Sequence, residues 1–526
     1  MTETAPPSVS PLRRALAMAS VMAATTVFIM NQTNVIVALP HMQGSFSATT
    51  DQIAWVITAF ILTLTIMTAL TGWLSAHIGR KRLYVISVAG FTACSFLCAI
   101  ATSLEAEVLF RAIQGAVGAP IIPLSQAIVM DTYPKEKHGA ALSLWGLSLT
   151  VGPVLGPIIG GYVTEMYSWP WVFLFNLPVG IVVVIAVLAV VPHSGHQQTR
   201  QLDWLGFAAI AVTLCAFQIV LNRGQHLDWF DSAEIVIAAL VTLFGAYVFI
   251  VHSATTKAPF IDRALLKDRN VVLGFVLITL WGMVLHSPLV LLSLRLQGLE
   301  NYPVMTTGFL MAPRGIGGCL AMLVVGRLTK LLPLKLCVSI GFCSVIAGAW
   351  IVAHWPLHAA DAEVAISAIF LGFGTSFAWV PLSMLAFGTI DQQHRTEGVA
   401  FFNLFLNMGS SLGITFAILI LTNGVQVNHE QLITFVTPFN KLFHDALTPH
   451  LWGLDSHKGL LSLDKEIGRQ SLSIAFNNAF LAIGVIAAAA IPLVFCFKEK
   501  KAPEAPKSAP APKPMAAPAA ARRGAD

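Results

Sequence analysis

The chain has 526 residues, of which 56% are hydrophobic and 11% charged, with a mean hydropathy of +0.75 and a formal charge of +5. So large an apolar fraction excludes a water-soluble fold and indicates an integral membrane protein. The positive surplus is explained by where Lys and Arg fall around the membrane segments, so no nucleic-acid partner is implied.

Apolar runs long enough to cross a bilayer recur along nearly the whole chain. About fourteen helices are predicted, near 15–38, 53–76, 83–103, 106–130, 139–163, 171–192, 204–222, 233–253, 271–294, 304–326, 336–354, 363–388, 398–422 and 474–497. This is an all-α polytopic plan. It divides into a tail at 1–14, a six-helix half at 15–192, two linker helices with flanking loops in 193–270, a second six-helix half at 271–497 with an external segment at 423–473, and an Ala/Pro/Lys-rich tail at 498–526 expected to be disordered on the cytoplasmic face. With both termini in the cytoplasm, cytoplasmic segments hold Arg13, Arg14, Arg80, Lys81, Arg82, Lys135, Lys137, Arg200, Lys257, Arg263, Lys267, Arg269, Arg327, Lys330, Lys335, Arg395 and the basic tail from Lys498 on, while short external loops and external helix ends hold only Arg223 and Arg295 and four cations lie in the long segment 423–473, where the rule is weak.

In chain order, the loop after the second helix carries Gly72-Trp-Leu-Ser-Ala-His-Ile-Gly79-Arg80-Lys81-Arg82, whose cations can anchor topology or engage helix C-termini and lipid phosphates. The fourth helix places Arg111 and Gln114 in an otherwise apolar stretch, where a charge is costly and marks either a transport pathway or an Arg bonded to carbonyls and Gln114. The fifth carries Gly152, Pro153, Gly156, Pro157, Gly160 and Gly161. Its prolines remove backbone donors and its glycines let neighbours approach, which suits a kinked helix between moving halves. The ninth contains His286, and the tenth contains Arg314 within Met311-Ala-Pro-Arg-Gly-Ile-Gly-Gly318, an irregular backbone tolerated only where protein or water satisfies it. Trp145, Phe377, Trp379, Phe401 and Phe405 are candidates to line a promiscuous cavity. All seven cysteines fall inside predicted helices, so structural disulfides are not expected, and no metal-ligand spacing, cofactor motif or Walker-type glycine loop occurs. An enzyme site is not indicated.

The halves echo each other: Gly118 with Pro123-Leu-Ser125 and Asp131 against Gly374 with Pro381-Leu-Ser383 and Asp391, and Gly152/Gly156 against Gly409/Gly413. Such repeats place a substrate site near the midplane between the halves.

The loop after the second helix, the segment from Arg111 to Gly115, and Gly152-Pro-Val-Leu-Gly-Pro-Ile-Ile-Gly-Gly161 resemble the three signature motifs of the major facilitator superfamily, in its fourteen-helix drug:proton antiporter branch of the EmrB/QacA type, EmrB most closely. The resemblance implies a secondary exporter of amphipathic small molecules in the cell inner membrane, coupled to protons, with a periplasmic adaptor protein and outer-membrane channel meeting segment 423–473. Two departures matter. The acid and Arg usual in the first motif are Ala76 and His77, and an Asp usual in the first helix is Asn31, which cannot titrate. Every Asp and Glu is assigned to a loop, a tail or a helix end, so no mid-membrane carboxylate is expected and the proton-carrier candidates are His286 and Asp131. Deep arginines without deep acids then imply an electropositive cavity and an anionic or zwitterionic cargo. The rival readings are a multidrug antiporter for lipophilic cations and a transporter-like sensor.

Overall fold

A computed structural model describes residues 11–134, 137–191, 202–256, 259–390, 395–437 and 456–498. Asp391, most of the terminal tails and the middle of segment 423–473 lie outside these. Within them, fourteen helices are long and apolar enough to cross a membrane: α1 Pro11–Ser45, α2 Trp55–Ile78, α3 Arg80–Ala99, α4 Leu104–Thr132, α5 His138–Met166, α6 Trp171–Val190, α7 Trp204–Arg223, α8 Ala233–Thr255, α9 Arg269–Leu299, α10 Thr306–Leu328, α11 Leu334–Ala353, α12 Asp361–Phe387, α13 Glu397–Ile433 and α14 His457–Phe495. Both faces of a membrane helix meet apolar surroundings, so length and apolarity locate these elements where amphipathic periodicity cannot.

Close backbone approach, not hydrophobic exclusion, joins helices in lipid. Gly152, Gly156 and Gly160 of α5 face α1, and a Cβ at each would collide with Ile29, with Thr33, or with the Asn34 backbone. Gly161 points elsewhere and meets only Val37 at an ordinary 3.8 Å. The stripe packs inside the first half, on the face of α5 turned to α1. In the second half Gly409 and Gly413 of α13 pack against the backbone of α9 in the same way. The weak sequence repeat is thus a repeat of packing. α5 meets the second half along another face, where Gly315 and Gly318 of α10 have room only for Val154 and Thr150.

α4 is broken between Gly118 and Ile121, where Pro120 lacks an N–H. Gly79, between α2 and α3, has φ +93°, a conformation that a side chain strains. α13 and α14 run on through 423–433 and 457–473, so both ends of the expected external segment are helical. A helix leaving the apolar zone loses its apolar residues and, with them, the signal that located it.

The linker helices α7 and α8 pair with each other, and α7 also packs against α2 and α13. Thr415 Oγ1 of α13 donates to Leu221 O of α7 at 3.1 Å. Asp203 ties their ends: it accepts from Gly206 N at 2.9 Å and Phe260 N at 3.1 Å, and lies 2.7 Å from His252 Nε2. Arg263 donates to Ser253 O, Ala254 O and Thr256 O and so covers the carbonyl end of α8.

Burial acts to raise the Asp203 carboxyl, but the Gly206 N–H, His252 and the Phe260 N–H outweigh it and hold it below the usual carboxylate value. A lowered native pKa adds stability above the unfolded value of about 4, lost as pH falls through the native value. Asp203→Ala is therefore expected to cost about 1 kcal/mol at pH 7, seen as a lower thermal midpoint in detergent, with the gap from wild type closing below about pH 4.

Candidate functional site

The predicted residues Asn31, Arg111 and Gln114 come together inside the first half. Arg111 Nη1 donates to Gln114 Oε1 at 2.6 Å and to Asn31 Oδ1 at 3.0 Å, and Nε donates to Val56 O at 3.3 Å. Its guanidinium lies 4.1 Å from the centre of the Phe60 ring and 5.9 Å from that of Phe173. Gln114 Nε2 donates to Ser95 Oγ at 2.8 Å, and Asn176 Nδ2 reaches the same hydroxyl at 3.4 Å. Six helices, α1 to α4 with α6 through Phe173 and Asn176 and with α5 closing on α1, are thereby fixed around one cation. Arg111 is 1% exposed, so it is sealed within the bundle and does not stand on an open cavity wall.

One turn before it on α4, Glu107 is 0% exposed and neither carboxylate oxygen has an N–H or O–H hydrogen-bond partner. It stands in the first turn of α4, a helix-end position as expected, and is nevertheless enclosed. α4 begins beneath an apolar cluster that includes Met42, Phe46, Trp169, Val172 and Phe173. The legible signal was its i, i+4 spacing to Arg111, which puts both on one helix face.

His286 and Arg314 form a second group in the other half. Arg314 Nη2 donates to Leu285 O at 2.5 Å, while Nη1 is buried without a partner. His286 Nδ1 lies 2.9 Å from Ser410 Oγ. Arg295, assigned from sequence to an external helix end, is buried. It donates to Asn477 Oδ1 at 2.6 Å and Pro356 O at 2.9 Å, stands 3.7 Å from Glu300 Oε1, and covers the Trp355 ring at 5.0 Å. A buried acid thus lies one turn from Arg111 and another beside Arg295, whereas among the described residues none acts on Arg314.

The halves close on each other at the end where α1 begins. Gly326 packs on Ser143, Gly146 on Met322 and Gly72 on Glu397, while Trp145 and Trp379 meet at 5.3 Å between centroids. Asn403 Nδ2 approaches Gln126 Oε1 at 3.5 Å. At this same end Arg80 pairs with Asp131 and Lys81 Nζ donates to Leu188 O at 2.7 Å. The first motif thus anchors α3 to α4 and to the C-terminus of α6 despite Ala76 and His77. Trp145, Trp379, Phe377 and Phe401 are packed in the core, and Phe405 is stacked on Phe275 at 4.9 Å, so these aromatics do not line a cavity in this arrangement. Among the described residues no group of three His, Cys, Asp or Glu side chains is placed to hold a metal.

A lysine has no planar fork to satisfy Asn31, Gln114 and the Val56 carbonyl together. Arg111→Lys should lower stability by about 2 kcal/mol, read as thermal unfolding in detergent; an unchanged midpoint would show that the guanidinium does not tie these helices.

The sequence model of the Major Facilitator Superfamily matches residues 21–414. The multidrug export protein EmrB of Escherichia coli K12 is 30% identical over 87% of this chain and 90% of its own length. The fatty acid resistance protein FarB of Neisseria gonorrhoeae is 30% identical over 88% and 92%. Among solved structures, the human organic anion transporter MFSD10 aligns with a TM-score of 0.62 at 12% identity, covering 93% of this chain and 100% of that one, a likeness of fold alone. Fourteen membrane helices in two packed halves with a linker pair between them, carrying these signature segments, belong to the major facilitator superfamily, and the chain is a membrane transporter of its EmrB type.

Proposed function

We propose that the chain is a secondary exporter of amphipathic small molecules that works by alternating access, is driven by the proton gradient, and favours anionic or zwitterionic cargo. It would act in the cell inner membrane with both termini cytoplasmic. The observation that carries the cargo preference is Arg314: one guanidinium nitrogen is buried without a partner, and among the described residues no carboxylate acts on it. An uncompensated cation at that depth is costly and favours an anion that supplies the missing charge. The similarity to a fatty acid resistance protein supports the same class of cargo. The backbone around it, with Pro313 inside α10 and Gly317 pressed on Ile369 of α12, suits a wall that can change packing. The helical extensions at 423–433 and 457–473 would supply the contact for a periplasmic adaptor protein leading to an outer-membrane channel.

Export of lipophilic cations is the rival reading, favoured by the buried Glu107 and by similarity to multidrug export proteins. The two separate in proteoliposomes under an imposed pH gradient, comparing laurate with tetraphenylphosphonium. Laurate is expected to move, and Arg314→Gln to reduce its flux about tenfold, equivalent to about 1.4 kcal/mol. Movement of the cation alone, or laurate flux indifferent to Arg314→Gln, would reject the anion preference.

A further inference from the structure

Glu107 is the buried ionisable group for which neither packing nor the cargo reading has a use. Its side chain is fully enclosed, its oxygens meet no polar group but the weak thiol donor of Cys98, and it occupies the same face of α4 as Arg111, one turn away. The guanidinium in turn gives its hydrogen bonds to neutral acceptors only, the amides of Asn31 and Gln114 and the carbonyl of Val56. Nothing structural is gained by a lone acid here: a leucine would fill the apolar cover without the cost of burying a carboxyl, which is several kcal/mol if charged and unpaired.

We propose that Glu107 is the residue that carries the proton through the transport cycle, an assignment that rests on the reading of the chain as a proton-driven exporter. The alternatives raised by the sequence are committed elsewhere. Asp131 is paired with Arg80, and His286 is bonded to Ser410 in the half that holds the cationic Arg314. Water comes close to Glu107: an open cavity of about 280 Å³, lined by Ser45, Phe46, Gln52, Thr102, Ser103 and Glu105 among others, reaches the first turn of α4, where Glu107 lies two residues, about 3 Å along the axis, beyond Glu105. This is the end of the bundle opposite the closed one.

The step is a single proton exchange. A proton arriving from the cavity side bonds to a carboxylate oxygen of Glu107, leaving a neutral carboxyl that tolerates enclosure. When the site faces the other side that O–H bond breaks and the proton leaves, while Arg111 remains a guanidinium throughout and steadies the carboxylate. The titratable groups acting on Glu107 are Arg111 on its own helix and Cys98 on α3, with Cys94 behind Cys98. From α1, α2 and α6 the network brings Asn31, Val56, Phe60 and Phe173, none of which titrates.

The test uses the purified full chain in proteoliposomes with laurate and tetraphenylphosphonium as probes, measuring uphill flux under a pH gradient and exchange of labelled for unlabelled probe at equal pH. Glu107→Gln is expected to lower the ratio of gradient-driven flux to exchange at least tenfold. Asn31→Asp placed in that background sets a carboxylate on the atom that now accepts from Arg111, and is expected to restore the ratio. Should Glu107→Gln not be recovered folded, the double variant is read alone, pumping supporting the assignment and its absence overturning it. A wild type that responds to the gradient, with Glu107→Gln responding equally, overturns the assignment but leaves the proton-driven reading standing. A wild type that exchanges probe yet ignores the gradient overturns that reading itself. Selective loss of tetraphenylphosphonium exchange in Glu107→Gln would make Glu107 a cargo-binding acid and also overturn the proposal.

Discussion

A guanidinium inside a bilayer-spanning bundle must find every one of its partners in the protein, because lipid offers none. Arg111 meets that demand with an amide from α1, an amide from its own helix and a backbone carbonyl of α2, while two phenyl faces from α2 and α6 shield it. Each of these partners is then fixed by something else. Gln114 can face Arg111 because Ser95 takes its amide N–H, and Ser95 is held by Phe91 O and approached by Asn176. The order of the first half follows from satisfying one charge. The same logic governs Arg295 in the second half, where Asn477, Pro356 O and Glu300 gather around the end of α9.

Close approach is the second constraint. Glycines on α5 and α13 put the backbones of α1 and α9 within contact distance, so these helix pairs behave as rigid units. The face of α5 that meets α10 is lined by Gly146, Thr150 and Val154 against Met322, Gly318 and Gly315, a surface of small residues and one flexible thioether that can slide as well as seal. The glycines thus bring helices as close across the join between the halves as within each half.

Most of the fold was legible because a membrane helix announces itself by length and apolarity, and all fourteen spans were located from that alone. What failed was burial. Glu107 was classed by its place in the helix rather than by what covers it, and the cover comes from α1 and α6, remote in sequence. The burial of Arg295 was hidden for the same reason, since it is covered by chain around Pro356 and by Asn477 of α14. Asn31, Arg111 and Gln114 were legible as a set because two of them are one turn apart and polar residues are rare among apolar ones. The five aromatic residues carried no such contrast, since a core tryptophan and a cavity tryptophan have the same sequence context.

The position of α7 has a further effect on the perimeter of the molecule. α2 and α13 form one seam between the halves and α5 with α10 the other, and α7 lies against the first, with α8 outside it presenting Leu240, Leu243, Phe244, Tyr247 and Ile250 to the lipid. One seam is thus walled off from the bilayer while the other is left facing it. The two helices that interrupt the internal repeat therefore make the perimeter lopsided, shielding one join between the halves and leaving the other as outer surface.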